Sequence, residues 1–187
     1  MIDVLVEQIN ISLKNNCYMT ALTTALILPD ICGKAKYPDL KNRGRYVKWY
    51  DEYIGQYERN PSQSDDMPYL SGDIVWKLRC SLLHEGNPTI NKSDAGIDYF
   101  ELLWQGYQRC SQVMVSTSVQ KNEDGTIVKK EFSVNIIRIC TILCRVAKNY
   151  YRENKNLFDF FNYRISNMDK KTREIFEIKY INKNANI

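Results

Sequence analysis

The chain contains a single histidine, His84, and five positions before it stands Arg79. An imidazole titrates near neutrality, at about pH 6.5 when unperturbed, so His84 can take or give a proton under cellular conditions. A guanidinium is a planar, permanently charged fork that suits phosphate oxygens. The two side-chain types together fit proton transfer coupled to charge building on a phosphate, a chemistry that needs no metal.

The segment that must position them reads SGDIVWKLRCSLLHEGNP, from Ser71 to Pro88. Ser71 is a good N-cap, Asp73 puts an acid in the first turn, and Gly86 followed by Asn87 and Pro88 supplies the stop, so the spacing predicts one short helix. At about 100° per residue, Ile74, Val75, Leu78 and Leu82 share a core-facing sector. Trp76, Cys80 and Leu83 form a second apolar face, with Arg79 and His84 about 140° apart on its edges. Only the wedge of Lys77, Ser81 and Glu85 looks built for water. A helix with two apolar faces is either central in its own fold or covered on one side by a partner, and a partner would bring Arg79 and His84 to the rim of an interface. On an ideal helix the pair diverges too far to meet on one atom within a subunit.

Arginine, four residues, then histidine near the end of the third helix of a small bundle resembles the R-x4-6-H motif of the HEPN superfamily. The resemblance implies a helical bundle that dimerises through its motif helices, with two Arg/His pairs forming one cleft that cuts RNA without metal. By it, Arg79 and His84 are the catalytic pair, and the homodimer pairs through the Trp76, Cys80 and Leu83 face. The dimer would also supply the second histidine that the chain lacks. Cys80 stands where that family commonly has a polar residue. Relatives of this kind further suggest an antitoxin or nucleotidyltransferase partner and a toxin or phage-defence setting. The rival expectation is an inactive HEPN-like module that binds RNA or a protein partner.

At 187 residues the chain is expected to form one domain, with an ordinary apolar share of 44% and thirteen tyrosines. Its net charge of +4 is uneven: from Arg138 onward eleven Lys/Arg face five Asp/Glu, while Met1 to Ile137 carries fifteen against seventeen. A basic C-terminal third suits a polyanion, and Lys170, Lys171 and Arg173 are RNA-contact candidates there. Six cysteines without a C-x-x-C pair, beside one histidine, argue against a metal site, and no other cofactor is expected. No P-loop or G-x-G-x-x-G offers a cradle for nucleotide hydrolysis. The N-terminus has acids where a signal peptide needs Lys/Arg, and no apolar run approaches the roughly 18 residues of a membrane span, so a cytoplasmic protein with reduced thiols is expected.

In chain order, Asp3 to Leu28 reads as one long amphipathic helix, with Pro29 kinking or ending it and Gly33 stopping a further turn. Asp30 suits capping and, at a bundle end, orienting a histidine or arginine. After a basic loop from Lys34 to Asn42, Arg43 to Tyr57 reads as a second helix. Its aromatic face is expected to be core rather than a base-stacking platform, and Arg45 is a phosphate-contact candidate. Glu58 to Met67 reads as loop. Asn87, just past the motif helix, joins Asp30, Arg45 and Cys80 as a candidate supporting residue. Ile97 to Tyr107 could be a short helix or a strand, with helix preferred. Val113 to Phe132 alternates around a turn at Asn122 to Gly125, a β-hairpin pattern. Ser133 is expected to cap a long helix from Val134 to Tyr151. The expectation is a mainly α, HEPN-like bundle of four principal helices in one domain, with residues 97–132 an insertion carrying the hairpin and 156–187 a C-terminal extension.

Overall fold

The computed structural model describes residues 1–58, 69–85, 99–104, 115–123, 127–160, 168–169 and 171–172, with side chains described at all of these except 84, 85, 99, 115–121 and 127–131. The described residues are mainly helical with one small sheet. The long helix expected from Asp3 to Leu28 is instead two, α1 (Ile2–Lys14) and α2 (Tyr18–Ala25), and the further turn expected after Pro29 is a full helix, α3 (Leu28–Lys36). The first break falls at two adjacent asparagines. Asn16 takes a left-handed φ of 58°, and the Asn15 side chain donates to the Ile11 carbonyl at 2.8 Å. Asparagine tolerates that conformation and competes for backbone partners, so it ends helices without interrupting an apolar stripe. Pro29 lies in the first turn of α3, where its missing N–H is harmless, so it starts a helix rather than ending one. Gly33 does not stop α3 either. It is buried mid-helix, and a Cβ there would lie 2.6 Å from the Arg45 carbonyl oxygen.

That close approach lets α4 (Asn42–Tyr50) lie against α3, and α4 continues as a π-turn (Asp51–Gly55) and a final turn, α5 (Gln56–Glu58). The expected aromatic face is core: Tyr46, Trp49 and Tyr50 are fully buried. A second glycine brings in the motif helix α6 (Gly72–Cys80). A Cβ at Gly72 would lie 2.6 Å from the Val47 carbonyl oxygen, and the Gly72 N–H donates to Asp51 Oδ1 at 2.6 Å. Ser71 caps α6 as the sequence predicts, accepting from the Ile74 N–H at 3.4 Å. Ile74, Val75 and Leu78 are buried and Leu82 packs against the core.

Three strands follow: β1 (Tyr99–Leu103), β2 (Val115–Lys121) and β3 (Ile127–Asn135), in the order β1-β3-β2. The hairpin forms, with β2 antiparallel to β3 and Ser118 opposite Glu131. The helix preferred for 97–107 is corrected to a strand, β1, which pairs parallel to β3 and puts Phe100 beside Phe132. Both rings are buried, 6.1 Å apart. On the outer face the Ser133 hydroxyl donates to Glu101 at 2.6 Å. Ser133 therefore belongs to β3, and the cap of α7 (Ile136–Glu153) is Asn135, which accepts from the Arg138 N–H at 3.0 Å. A 3-10 turn (Lys155–Phe158) then buries Phe158 against Tyr150. One apolar cluster joins residues of α1 through α4, α6, the sheet and α7. Among the described residues six helices have eight or more residues, where four principal ones were expected. No helix among these residues is long and apolar enough to cross a membrane.

Candidate functional site

The two glycine contacts bring α3, α4 and α6 close enough for three charged side chains to meet. Arg79 on α6 donates through Nη2 to Asp30 Oδ2 on α3 at 2.8 Å. Arg45 on α4 approaches the other oxygen, Asp30 Oδ1, at 3.7 Å. That is an ion pair but too long for a hydrogen bond, and Oδ1 has no hydrogen-bond partner among the described residues. All three side chains are withdrawn from water, at 15% exposed for Arg79 and 17% for Asp30 and Arg45. The cluster therefore holds two permanent positive charges against one carboxylate, in surroundings that screen charge poorly.

An aromatic ring backs Arg79. Its guanidinium lies over the Trp76 ring at 4.8 Å, and Trp76 meets Tyr46 edge-on at 5.1 Å. Tyr46 is anchored in turn by donating to the Leu26 carbonyl at 3.1 Å. Burial pushes the Tyr46 phenol far above its ordinary pKa, with the nearby charge of Arg79 pulling the other way and Asp30 adding to the rise. Tyr46 is accordingly a neutral hydrogen-bond donor and spacer. A guanidinium with Nη2 on a carboxylate and its centre over an indole is held in place, and its Nη1 group is the one left to meet an oxyanion, since Nε is buried.

After Cys80 the helix changes pitch to a π-turn, Ser81–Glu85. Such a turn closes over five residues instead of four and is often found at functional sites. It advances less than about 100° per residue, so the His84 backbone sits at a smaller angle from Arg79 than the roughly 140° of a regular helix. The side chain of His84 lies outside the described residues. The expected water-facing wedge is corrected: Ser81 is buried, at 6% exposed, and Lys77 is 13% exposed and paired with Asp73 at 3.2 Å. Seven residues beyond Ile74, Ser81 shares that residue's side of the helix. The second apolar face is partly claimed by the fold itself, since Trp76 packs on the core, leaving Cys80 half-buried and Leu83 37% exposed.

The structure thus unites Asp30, Arg45 and Arg79, with Cys80 adjoining. Asn87, Lys170 and Arg173 lie outside the described residues, and Lys171 is exposed. The sequence reading missed the supporting roles of Trp76 and Tyr46. Their only signal was aromatic character on two neighbouring helices. A shallow groove of about 450 Å³ between α1 and α7 is lined by Asp3, Glu7, Lys14 and Lys148 among others, and by no member of the arginine cluster. No family model, curated protein or solved structure matches the chain.

Proposed function

We propose that the protein is a metal-independent endoribonuclease that acts as a homodimer, with Arg79 and His84 as its working residues. The observation that carries this reading is the recessed, positively biased cluster in which Asp30 and Trp76 hold Arg79 two residues before the π-turn bearing the only histidine. In the proposed reaction His84 takes the proton of a ribose 2′-hydroxyl and the freed oxygen attacks the adjacent phosphorus. The 5′-oxygen of the next nucleotide leaves, taking a proton from the partner's histidine. Arg79 stabilises the charge on the non-bridging oxygens. The products are a 2′,3′-cyclic phosphate and a 5′-hydroxyl.

The test is incubation of purified protein with a mixed RNA pool in EDTA. Cleavage with those ends is expected, reduced by about two orders of magnitude or more in His84→Ala and Arg79→Ala, since general acid–base catalysis typically supplies 10² to 10⁴. Undiminished cleavage by His84→Ala refutes the assignment. A second reading, an RNA-binding or partner-binding module without cleavage, is favoured by the engagement of Arg79 with Asp30 and Trp76. It takes precedence if the wild type binds RNA and leaves it intact. The toxin or phage-defence setting and an antitoxin or nucleotidyltransferase partner remain part of the proposal through the HEPN resemblance alone.

A further inference from the structure

The C-terminal half of α3, the turn after it and α4 hold a concentration of charge that the fold compensates only in part. Residues 34–48 contain six Lys/Arg (Lys34, Lys36, Lys41, Arg43, Arg45 and Lys48) against Asp39 alone, a net +5 in a chain whose total is +4. Three of the six form ion pairs, Arg43 with Asp73 at 2.7 Å, Lys36 with Glu52, and Arg45 more loosely with Asp30 at 3.7 Å, an aspartate it shares with Arg79. Lys34 and Lys48 make no ion pair among the described residues and lie instead over ring faces, Lys34 over Phe160 at 4.6 Å and Lys48 over Tyr37 at 4.4 Å. A ring face steadies an ammonium group without cancelling its charge. Lys34, Lys41 and Lys48 are all exposed.

The arrangement is linear. Lys41, Arg45 and Lys48 are spaced i, i+4 and i+7, which lines them along one side of α4, with steps of about 4.5 to 6 Å in helical rise. At Arg45 the row meets Asp30 and through it Arg79. At Lys48 it reaches Tyr37, whose ring also lies 5.6 Å from the Lys36 ammonium. The cations thus run from a recessed arginine pair out onto an open surface.

We infer that this α3–α4 corner is the track on which the phosphodiester backbone of a single-stranded RNA lies as it enters the Arg45/Arg79 recess. The inference deepens the ribonuclease reading and rests on it for what happens at the end of the track. A flexible strand can thread a phosphate to a guanidinium only 15% exposed, whereas a rigid duplex cannot. An anionic membrane fits the charge but not the composition, because Leu40 is the one large apolar residue exposed within residues 34–48, and interfacial binding needs apolar insertion. A protein partner would call for an apolar centre to the patch, which the row of cations lacks.

The test uses fluorescence anisotropy of a labelled mixed-sequence single-stranded RNA, in EDTA, with the full chain carrying His84→Ala so that the probe survives. Lys34→Glu/Lys41→Glu/Lys48→Glu changes only exposed side chains, and the matching Gln triple is a milder second variant. Each phosphate contact on a single strand adds about 0.7 to the slope of log K against log salt, so losing three should flatten it by about 2 and weaken binding at least about tenfold at 0.1 M salt. A Lys170→Glu/Lys171→Glu/Arg173→Glu variant should lose less. Affinity unchanged in both corner variants, a larger loss from the C-terminal triple, or no RNA binding at all overturns the inference. So does corner-dependent binding to phosphatidylserine vesicles in place of RNA. Corner-dependent RNA binding by a wild type that never cleaves refutes the ribonuclease reading and leaves the track standing.

Discussion

Asp30 is the hinge of the cluster, and removing it should damage the protein in a manner that separates a held arginine from a chance surface pair. Asp30→Ala deletes a 2.8 Å hydrogen bond to Arg79 and leaves two guanidinium groups facing each other, each at least four-fifths withdrawn from water. A hydrogen bond to a charged group contributes about 1.5–3 kcal/mol, and breaking a fully buried pair costs about 3–5 kcal/mol. Partial exposure here lowers the second figure, and the 3.7 Å contact to Arg45 adds under about 1 kcal/mol. The expected loss is about 2–3 kcal/mol, or about 4–12 °C in Tm for a domain of this size. Urea unfolding measures it. Little of the loss should vanish at 1 M salt, because withdrawn pairs are weakly screened. Asp30→Ala combined with Arg79→Met should destabilise by less than the sum of the single changes, with a coupling of at least about 1 kcal/mol. A loss below about 0.5 kcal/mol, or strict additivity, would refute the reasoning.

Two further outcomes follow from the packing and from one titrating group. Gly72→Ala places a methyl 2.6 Å from the Val47 carbonyl oxygen and 3.0 Å from its Cα, so α6 must move off α4. A loss of about 1–3 kcal/mol in unfolding is expected, accompanied on the proposed ribonuclease reading by weakened RNA cleavage as Arg79 moves, and an unchanged Tm would contradict the close approach. Burial raises the Glu58 carboxyl above its ordinary pKa, with the charge of Arg138 opposing. The folded state therefore keeps this proton to higher pH than the unfolded chain, so the contribution is full below the unfolded value near about 4.3 and is lost as pH rises through the folded one. Glu58→Gln should gain stability relative to wild type across that rise and hold a constant difference above it, and parallel stability curves from pH 4 to pH 7 would refute the shift.

What the sequence disclosed, and what it hid, divides by the range of the interaction concerned. Ser71 as a cap and the β2–β3 hairpin depend on neighbours a few residues apart, and both are read correctly from type and period. The break at Asn15 and Asn16 was also local, but an apolar period crossing it concealed the signal. Strand β1 was misread because its pattern is mixed and its stability comes from a parallel partner thirty-two positions away, Tyr99 opposite Glu131. The pairing of Asp30 with Arg79 spans forty-nine positions. Nothing in either residue names the other; of the two glycines that permit the pairing, Gly33 read in the sequence as a helix stop and Gly72 gave no signal at all.

On the proposed ribonuclease reading, the same long-range pairing also sets the chemistry of Arg79. An arginine free in water would meet a phosphate at the cost of ordering its own long side chain, about 2 kcal/mol of rotamer freedom. Asp30 and Trp76 have already ordered it. Asp30 also lowers the local positive potential, and a single Asp30/Arg79 pair would leave no net charge for a phosphate to meet. Arg45 resolves that conflict: its guanidinium stands 3.7 Å from the carboxylate without forming a hydrogen bond, so the cluster keeps one unit of positive charge while its geometry stays fixed. Arg45→Gln should therefore leave the hold on Arg79 intact and weaken RNA binding. By contrast, Asp30→Asn should weaken the hold and preserve the positive charge. On the proposed ribonuclease reading the two arginines divide the work: Asp30 and Trp76 hold Arg79 in place, and Arg45 leaves the cluster with one net positive charge.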